Sequence, residues 1–214
     1  MTIRKRVGSV LFTAAATAAV VGMSIGPALA STTHLTVKVS HGGSYTAKAG
    51  KTTLSANGVA VTCTSSTASG KLASGTHKGK ASVSLGGVKG LSFKSCTSIA
   101  GTMTTTVHGT PELNADSRTS SKGDTDAIIT GVNVSVSTTG CSFKVTGTAP
   151  GYYSNKTHTL YMTPKKLPVK PLKTAKLTIS GVAPGACLGA ISNGDHPTYL
   201  ASYKISRKIV IHSS

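Results

Sequence analysis

The sequence predicts an all-β protein, an antiparallel β-sandwich that contains two disulfides. Along most of the chain, apolar residues alternate with Ser, Thr and Lys at a period of two, which is typical of strands with one buried face. Glycine-containing breaks separate these stretches and indicate turns. No window in residues 31–214 has the apolar spacing of a long helix. A closed β-barrel is the alternative arrangement of the same strands.

The alternation predicts strands from near residue 35 to near residue 205. Val and Thr suit these positions because a branched Cβ packs well on a pleated surface. The alternating apolar positions are, in chain order, Leu35, Val37 and Val39; Val59, Val61 and Cys63; Val83 and Leu85; Val132, Val134 and Val136; Tyr199, Ala201, Tyr203 and Ile205. The predicted turns are at Gly42 and Gly43, Gly86 and Gly87, Gly151, and Asn193 and Gly194.

Two segments depart from the alternation. Residues 112–126 hold four of the five acidic residues, which predicts a polar loop with one short edge strand. Residues 164–173 carry three prolines and four lysines. Proline cannot donate to a strand ladder, so this segment is expected to be an extended connection outside the sheet.

The first thirty residues have the features of a signal peptide. A basic start at residues 4–6 precedes an uncharged, largely apolar run, and small residues at Ala28 and Ala30 provide a cleavage site. The alternative is an uncleaved membrane anchor, because the apolar run is nearly long enough to span a bilayer. Pro27 interrupts the run, which favours cleavage. We therefore predict a secreted protein without a transmembrane segment after cleavage.

The predicted secreted β domain covers residues 31–214, and it is strongly basic. Removing the three basic residues of the signal lowers the formal charge from +18 to +15. Such a charge attracts anionic partners over a Debye length or more. The alternative interpretation is that the charge only keeps an exported protein in solution.

The four cysteines are interpreted as two structural disulfides, because they accompany an export signal and form no C-x-x-C pair. Three pairings are possible. We favour Cys63–Cys96 with Cys141–Cys187, since each pair shows the same order of parts: an alternating stretch, an apolar-Ser/Thr-apolar strand, then a Thr- or Tyr-rich strand. This similarity suggests two halves, 31–125 and 126–214, although chance explains it equally well in so Ser/Thr-rich a chain.

Three stretches also support a resemblance to known proteins: GLSFKSC at 90–96, GVNVSVSTTGCSFKVTG at 131–147 and CLGAISNGDHPTYLASYKIS at 187–206. Together they resemble a family of uncharacterised secreted actinobacterial proteins rich in Ser, Thr and Gly. The resemblance covers roughly residues 35–206 and rests on structural motifs. It implies no catalytic residue and no ligand.

No catalytic pattern is found in the chain. The sequence lacks a G-x-S-x-G elbow, a metal-binding H-E-x-x-H motif and a pair of opposed carboxylates. We therefore predict a protein that is not an enzyme and has no metal site and no cofactor. A secreted hydrolase with scattered catalytic residues, or a β module that pairs with other chains, remains as the alternative.

The favoured function is the binding of anionic polymers or of the cell-envelope surface. Lysine dominance predicts diffuse attraction, since forked phosphate recognition favours Arg, and no specific nucleic-acid motif is present. The candidate lysines are Lys165, Lys166, Lys170, Lys173 and Lys176. Tyrosines near Lys156 are candidates for stacking on a base or sugar: Tyr152, Tyr153 and Tyr161. The alternatives are a solvated loop for the lysines and sheet packing for the tyrosines.

The signal-peptide interpretation predicts the first residue of the exported protein. Cleavage after Ala30 leaves Ser31 as the new N-terminus. N-terminal sequencing of the protein recovered from the medium should start at Ser31. Retention of Met1 would contradict cleavage and would favour the anchored alternative.

Overall fold

The computed structural model describes residues 34–163 and 175–214, and these residues form an all-β structure. Within the described ranges, one 3₁₀ turn, Ala186–Gly189, lies between the strands Leu177–Ser180 and Thr198–Ile205. The strands are β1 Leu35–Ser40, β2 Gly43–Ala49, β3 Thr52–Ala56, β4 Val59–Leu72, β5 Gly75–Gly79, β6 Val83–Ser98, β7 Gly101–Val107, β8 Glu112–Ala115, β9 Asp124–Thr138, β10 Cys141–Ser154, β11 Thr159–Met162, β12 Leu177–Ser180, β13 Thr198–Ile205 and β14 Val210–Ser213.

The strands of the larger sheet pair antiparallel and return to their starting point. From β4 the hydrogen-bonded neighbours run through β6, then β7 and β8, then β9, β10, β11 and β13. Strand β13 pairs with β2 and β3, and both of these pair with β4. Hydrogen bonds between strands therefore join the two predicted halves. The ladder closes on itself, so the packed sheets are hydrogen-bonded to each other along both edges, as in the barrel arrangement.

One core lies between the packed faces, and the alternation predicted from the sequence decides which side chains enter it. On β9, Val134 and Val136 are buried while Ser135 and Ser137 lie on the outer face. The same separation holds on β1, where Val37 and Val39 are almost fully buried. The all-β, antiparallel prediction is thus confirmed.

A small sheet of β14, β1 and β5 covers one end of this structure. Ile209, just before β14, and Ile211, within it, are buried against the core. Asn155, which follows β10, exchanges two hydrogen bonds with the Ile211 backbone, at 2.7 and 2.9 Å. This end of the core is therefore sealed by the C-terminal strand.

Both predicted disulfides are confirmed, but they stand in different settings. Cys63 and Cys96 are directly opposite each other on β4 and β6. Cys141 begins β10, whereas Cys187 lies in the 3₁₀ turn. The Cys187 amide donates to the Gly140 carbonyl, so backbone and side chain tie the turn to the β9–β10 hairpin.

Two predicted glycine turns are wrong. Gly86 and Gly151 lie inside β6 and β10, where a neighbouring strand comes too close for a side chain. A Cβ on Gly86 would lie 2.3 Å from the Lys71 carbonyl oxygen, and one on Gly151 would lie 2.3 Å from the Tyr161 carbonyl oxygen. These glycines permit close backbone approach within the sheet instead of reversing the chain.

The prediction for residues 112–126 needs a correction as well. Its first four residues form β8, which pairs with β6 on one side and β9 on the other. It is therefore an interior strand, not an edge strand. Residues 116–123 connect it to β9 without strand structure.

Two sequence predictions lie outside the described residues: the signal peptide, 1–30, and the Pro- and Lys-rich segment, 164–173. Among the residues that are described, no helix is long and apolar enough to cross a membrane.

The disulfides should contribute strongly to stability in a chain with few aromatic residues. They join residues separated by 33 and 46 positions, and the chain-entropy model gives about 4 kcal/mol for loops of this size. The double variants C63A/C96A and C141A/C187A should each lower the free energy of unfolding by about that amount, measured by urea unfolding without reductant. Losses below about 1 kcal/mol would contradict a structural role.

Candidate functional site

Two of the three candidate tyrosines lie together on the outer surface. Tyr152 of β10 and Tyr161 of β11 are directly opposite each other in the ladder. Their rings are stacked, with centroids 4.9 Å apart and planes 20° from parallel. Partial burial raises the pKa of Tyr152, and nearby Tyr161 and Asp124 add to the effect. The pair therefore forms a fixed, flat, neutral aromatic surface.

The tyrosine pair lies at a surface hollow of about 340 Å³. Thr53 and Leu200, which face each other on β3 and β13, contribute to it, as does Lys51 from the turn before β3. Leu200 is 44% exposed, which is unusual for a leucine and leaves an apolar surface open to solvent. The hollow thus combines aromatic, aliphatic and cationic groups.

Two lysines lie beside this hollow as directly opposed residues. Lys48 of β2 pairs with Lys204 of β13, and both side chains are exposed. Like charges opposite each other in a sheet are destabilising. The row continues on either side with Thr67 of β4 and Thr159 of β11. The Lys204 ammonium donates to the Thr157 carbonyl, which fixes one of the two charges.

We refer to five residues as the tyrosine–lysine face: Lys48, Lys51, Tyr152, Tyr161 and Lys204. They come from β2, β10, β11, β13 and the turn before β3, so only the closed ladder brings them onto one surface. Sequence reasoning did not find the three lysines. Alternation places Lys48 and Lys204 on outer faces, but it does not indicate that their strands are neighbours.

Four of the candidate lysines, Lys165, Lys166, Lys170 and Lys173, lie outside the described residues. Lys176 is described, and its ammonium lies 3.5 Å from Nε2 of His196. The chain enters the lysine-rich segment at Thr163, which lines the hollow next to the tyrosine pair. The segment is therefore attached covalently at the edge of the tyrosine–lysine face.

Tyr153, the third candidate tyrosine, faces the core instead. It is only 4% exposed, and its hydroxyl donates to the Ile209 carbonyl at 2.8 Å. Burial raises the pKa of Tyr153 to about 12. The structure thus separates Tyr153 from Tyr152 and Tyr161, and its position corresponds to the packing alternative.

A buried chain of hydroxyl groups, which sequence reasoning missed, runs along the inner wall. Ser66 donates to the Ser92 carbonyl at 2.9 Å, which uses its only proton, so Tyr203 must donate to Ser66 at 2.7 Å. By the same rule Tyr199 donates to Tyr203 at 2.7 Å. The protons of Ser66, Tyr203 and Tyr199 are therefore already committed.

The carboxylates are largely withdrawn from the outer surface. Asp126 is fully buried, and its backbone carbonyl accepts from the Asp116 amide at 2.9 Å. Burial, and then the negative charge of Asp126, raise the pKa of Asp116 to about 6 from its ordinary 3.8. Asp195 accepts hydrogen bonds from Asn57 and from the Ser192 amide. The exposed charge is consequently dominated by lysine.

Comparison with known proteins gives no match: no family model fits the chain, and neither the curated proteins nor the solved structures contain a match. The resemblance to secreted Ser/Thr/Gly-rich proteins remains an expectation from sequence. The geometry of the tyrosine–lysine face and the charge around it are therefore the basis for a functional proposal.

The raised pKa of Asp116 predicts that stability falls as the pH rises. Folding favours the protonated carboxyl, so this contribution is complete below about pH 4 and is lost as the pH passes through about 6. Asp116 is partly exposed, and we therefore expect an effect of only about 1 kcal/mol. Asp116→Asn should raise the free energy of unfolding at pH 8 but hardly change it at pH 4.

The control is Glu112→Gln, which removes an exposed carboxylate nearby on β8. Its effect should be small at both pH values. Urea unfolding at pH 4 and pH 8 provides the measurement for both variants. An equal change at the two pH values for Asp116→Asn would contradict the raised pKa.

Proposed function

We propose that this protein is a non-enzymatic extracellular or envelope-associated protein that binds anionic polymers through its tyrosine–lysine face. The observation that carries the proposal is the opposed pair Lys48 and Lys204. Two cations held face to face repel each other, and an anion bound between them removes that repulsion. The pair is therefore better satisfied in the complex than in the free protein.

The groups around the lysine pair suit an anionic chain. The Thr67 hydroxyl lies next to Lys48 in the same cross-strand row and can donate to phosphate, sulfate or carboxylate oxygens. Lys51 adds a third charge at the hollow that the tyrosines line. Positive charge is thus spread over a distance, which matches a repeating polymer better than a single small anion.

The stacked tyrosines supply a contact of another kind. A neutral aromatic face attracts the apolar face of a sugar or a base without selecting its sequence. Tyr152 and Tyr161 are already stacked, so little side-chain freedom is lost on binding. This contact distinguishes polymers with sugar or base units from those with only charge.

The lysine-rich segment follows the hollow directly in the sequence. Thr163 lines the hollow, and the next residues of the chain include Lys165, Lys166, Lys170 and Lys173 before Lys176. Its prolines restrict the chain, which lowers the entropy lost when it binds. We propose that it contributes charge to the same polymer.

An extracellular setting fits the two disulfides, because such bonds persist in oxidising compartments. The dominance of lysine over arginine suits diffuse attraction, and the expected affinity is correspondingly salt-dependent. Wall polymers, acidic polysaccharides and extracellular nucleic acid all share this chemistry.

The proposal is tested by comparing two triple variants that lose the same charge. K48Q/K51Q/K204Q alters the tyrosine–lysine face, and K38Q/K89Q/K144Q alters exposed lysines on β1, β6 and β10. Binding to long-chain polyphosphate and to heparin is measured by fluorescence anisotropy between about 50 and 200 mM salt. The first variant should bind at least tenfold more weakly and show a smaller slope against log salt, because fewer counterions are released.

The control variant should lose much less affinity. A third variant tests the segment by replacing its lysines with Ser, namely Lys165, Lys166, Lys170, Lys173 and Lys176. Equal losses of polyanion affinity in all three variants would mean diffuse attraction without a site. Absence of measurable binding by the parent protein near physiological salt would remove the proposal. Tyr161→Ala should weaken heparin binding more than polyphosphate binding, since only heparin carries rings that can stack on the tyrosine.

A further inference from the structure

The interior contains a cavity of about 130 Å³ whose wall is almost entirely apolar. Small side chains at inward positions explain the space: Ala47, Ala68 and Ala149 lie on the wall of the cavity at β2, β4 and β10. A barrel of this size is normally filled by its side chains. Here the scarcity of large aromatics leaves room for one small molecule.

The strand ladder leaves a mouth to this cavity. Strand β7 pairs with β6 only at its beginning and then with β9, while β8 bridges β6 and β9 further along. Within the described part of the chain, residues 89–95 of β6 thus have no strand partner on the β7 side. Cavity-lining side chains at this split are half-buried, namely Leu91, Phe93, Ile129 and Val132.

The described wall presents almost no polar surface to a ligand, although Tyr45 and Thr105, which carry hydroxyls, are among its lining residues. Tyr199 and Tyr203 also line the cavity, but their protons are committed along the hydroxyl chain that ends at the Ser92 carbonyl. A carboxylate or a ketone in the cavity would lose its hydration for an almost wholly apolar surface, at a cost in affinity. The chemistry of the wall therefore disfavours charged and strongly polar ligands.

We propose that this cavity is a binding site for a small, uncharged hydrocarbon-like molecule that enters between β6 and β9. Apolar cavities of about 150 Å³ stay dry and bind benzene or xenon. A ligand of that size fits the volume, replaces missing van der Waals contacts and needs no hydrogen bond. The site is independent of the tyrosine–lysine face, which lies on the opposite side of the sheet wall.

The first test uses the disulfide-bonded protein with benzene as probe and benzoate as the charged counterpart of similar size. Benzene should raise the midpoint of thermal unfolding, and benzoate should not. Nuclear Overhauser contacts should join benzene to the Leu91 and Val132 methyl groups. Absence of the benzene shift, or contacts only to outer side chains, would overturn the proposal.

The second test fills the cavity. Ala68→Leu should weaken benzene binding at least tenfold, whereas Ala60→Leu, which faces outward on the same strand, should leave it unchanged. Ala149→Leu serves as a second filling variant if Ala68→Leu does not fold. Unchanged benzene affinity in a folded filling variant would place the ligand elsewhere and refute the site. Polyphosphate binding should be unaffected in every folded variant, which separates this proposal from the polyanion proposal.

Discussion

The pairing of β13 with β2 and β3 is the constraint on which the rest of the structure depends. It joins strands from opposite ends of the chain and closes the ladder that begins with β4 and β6. Without it, two long strand edges would be exposed, and such edges pair readily with other chains. Closure satisfies those backbone groups internally, and it also places Lys48 beside Lys204.

Closing the strand ladder also carries a cost in stability. Contacts between distant parts of the chain carry a large entropy cost of ordering. A chain with 4% aromatic residues and no Trp gains less stabilisation from its core than most. The disulfides offset part of that cost: one fastens β4 to β6, and the other fastens the turn before β13 to the β9–β10 hairpin. The same scarcity of large side chains leaves the interior cavity.

The sequence alone was sufficient to predict local features of the fold, but it did not predict which strands lie next to each other. Alternation correctly assigned the strands and buried faces of β1 and β9, and the order of parts around the cysteines identified both disulfides. The turns predicted at Gly86 and Gly151 were wrong because a single sequence does not distinguish a glycine needed for close backbone approach from a glycine needed for a turn. The tyrosine–lysine face depends on which distant strands pair, and local alternation carries no information about that.

Two consecutive residues of β10 illustrate how one wall can serve two kinds of chemistry. Tyr152 points outward and stacks on Tyr161, while Tyr153 points inward, lines the cavity and donates to the Ile209 carbonyl. Because side chains alternate across a strand, a change at one position leaves the other surface nearly untouched. The outer wall can therefore carry a high density of lysine without placing charge in the core, and the inner wall can stay apolar without exposing a hydrophobic patch. A one-residue slip in the register of β10 would exchange these surfaces, so the ladder on both sides of β10 protects both of them.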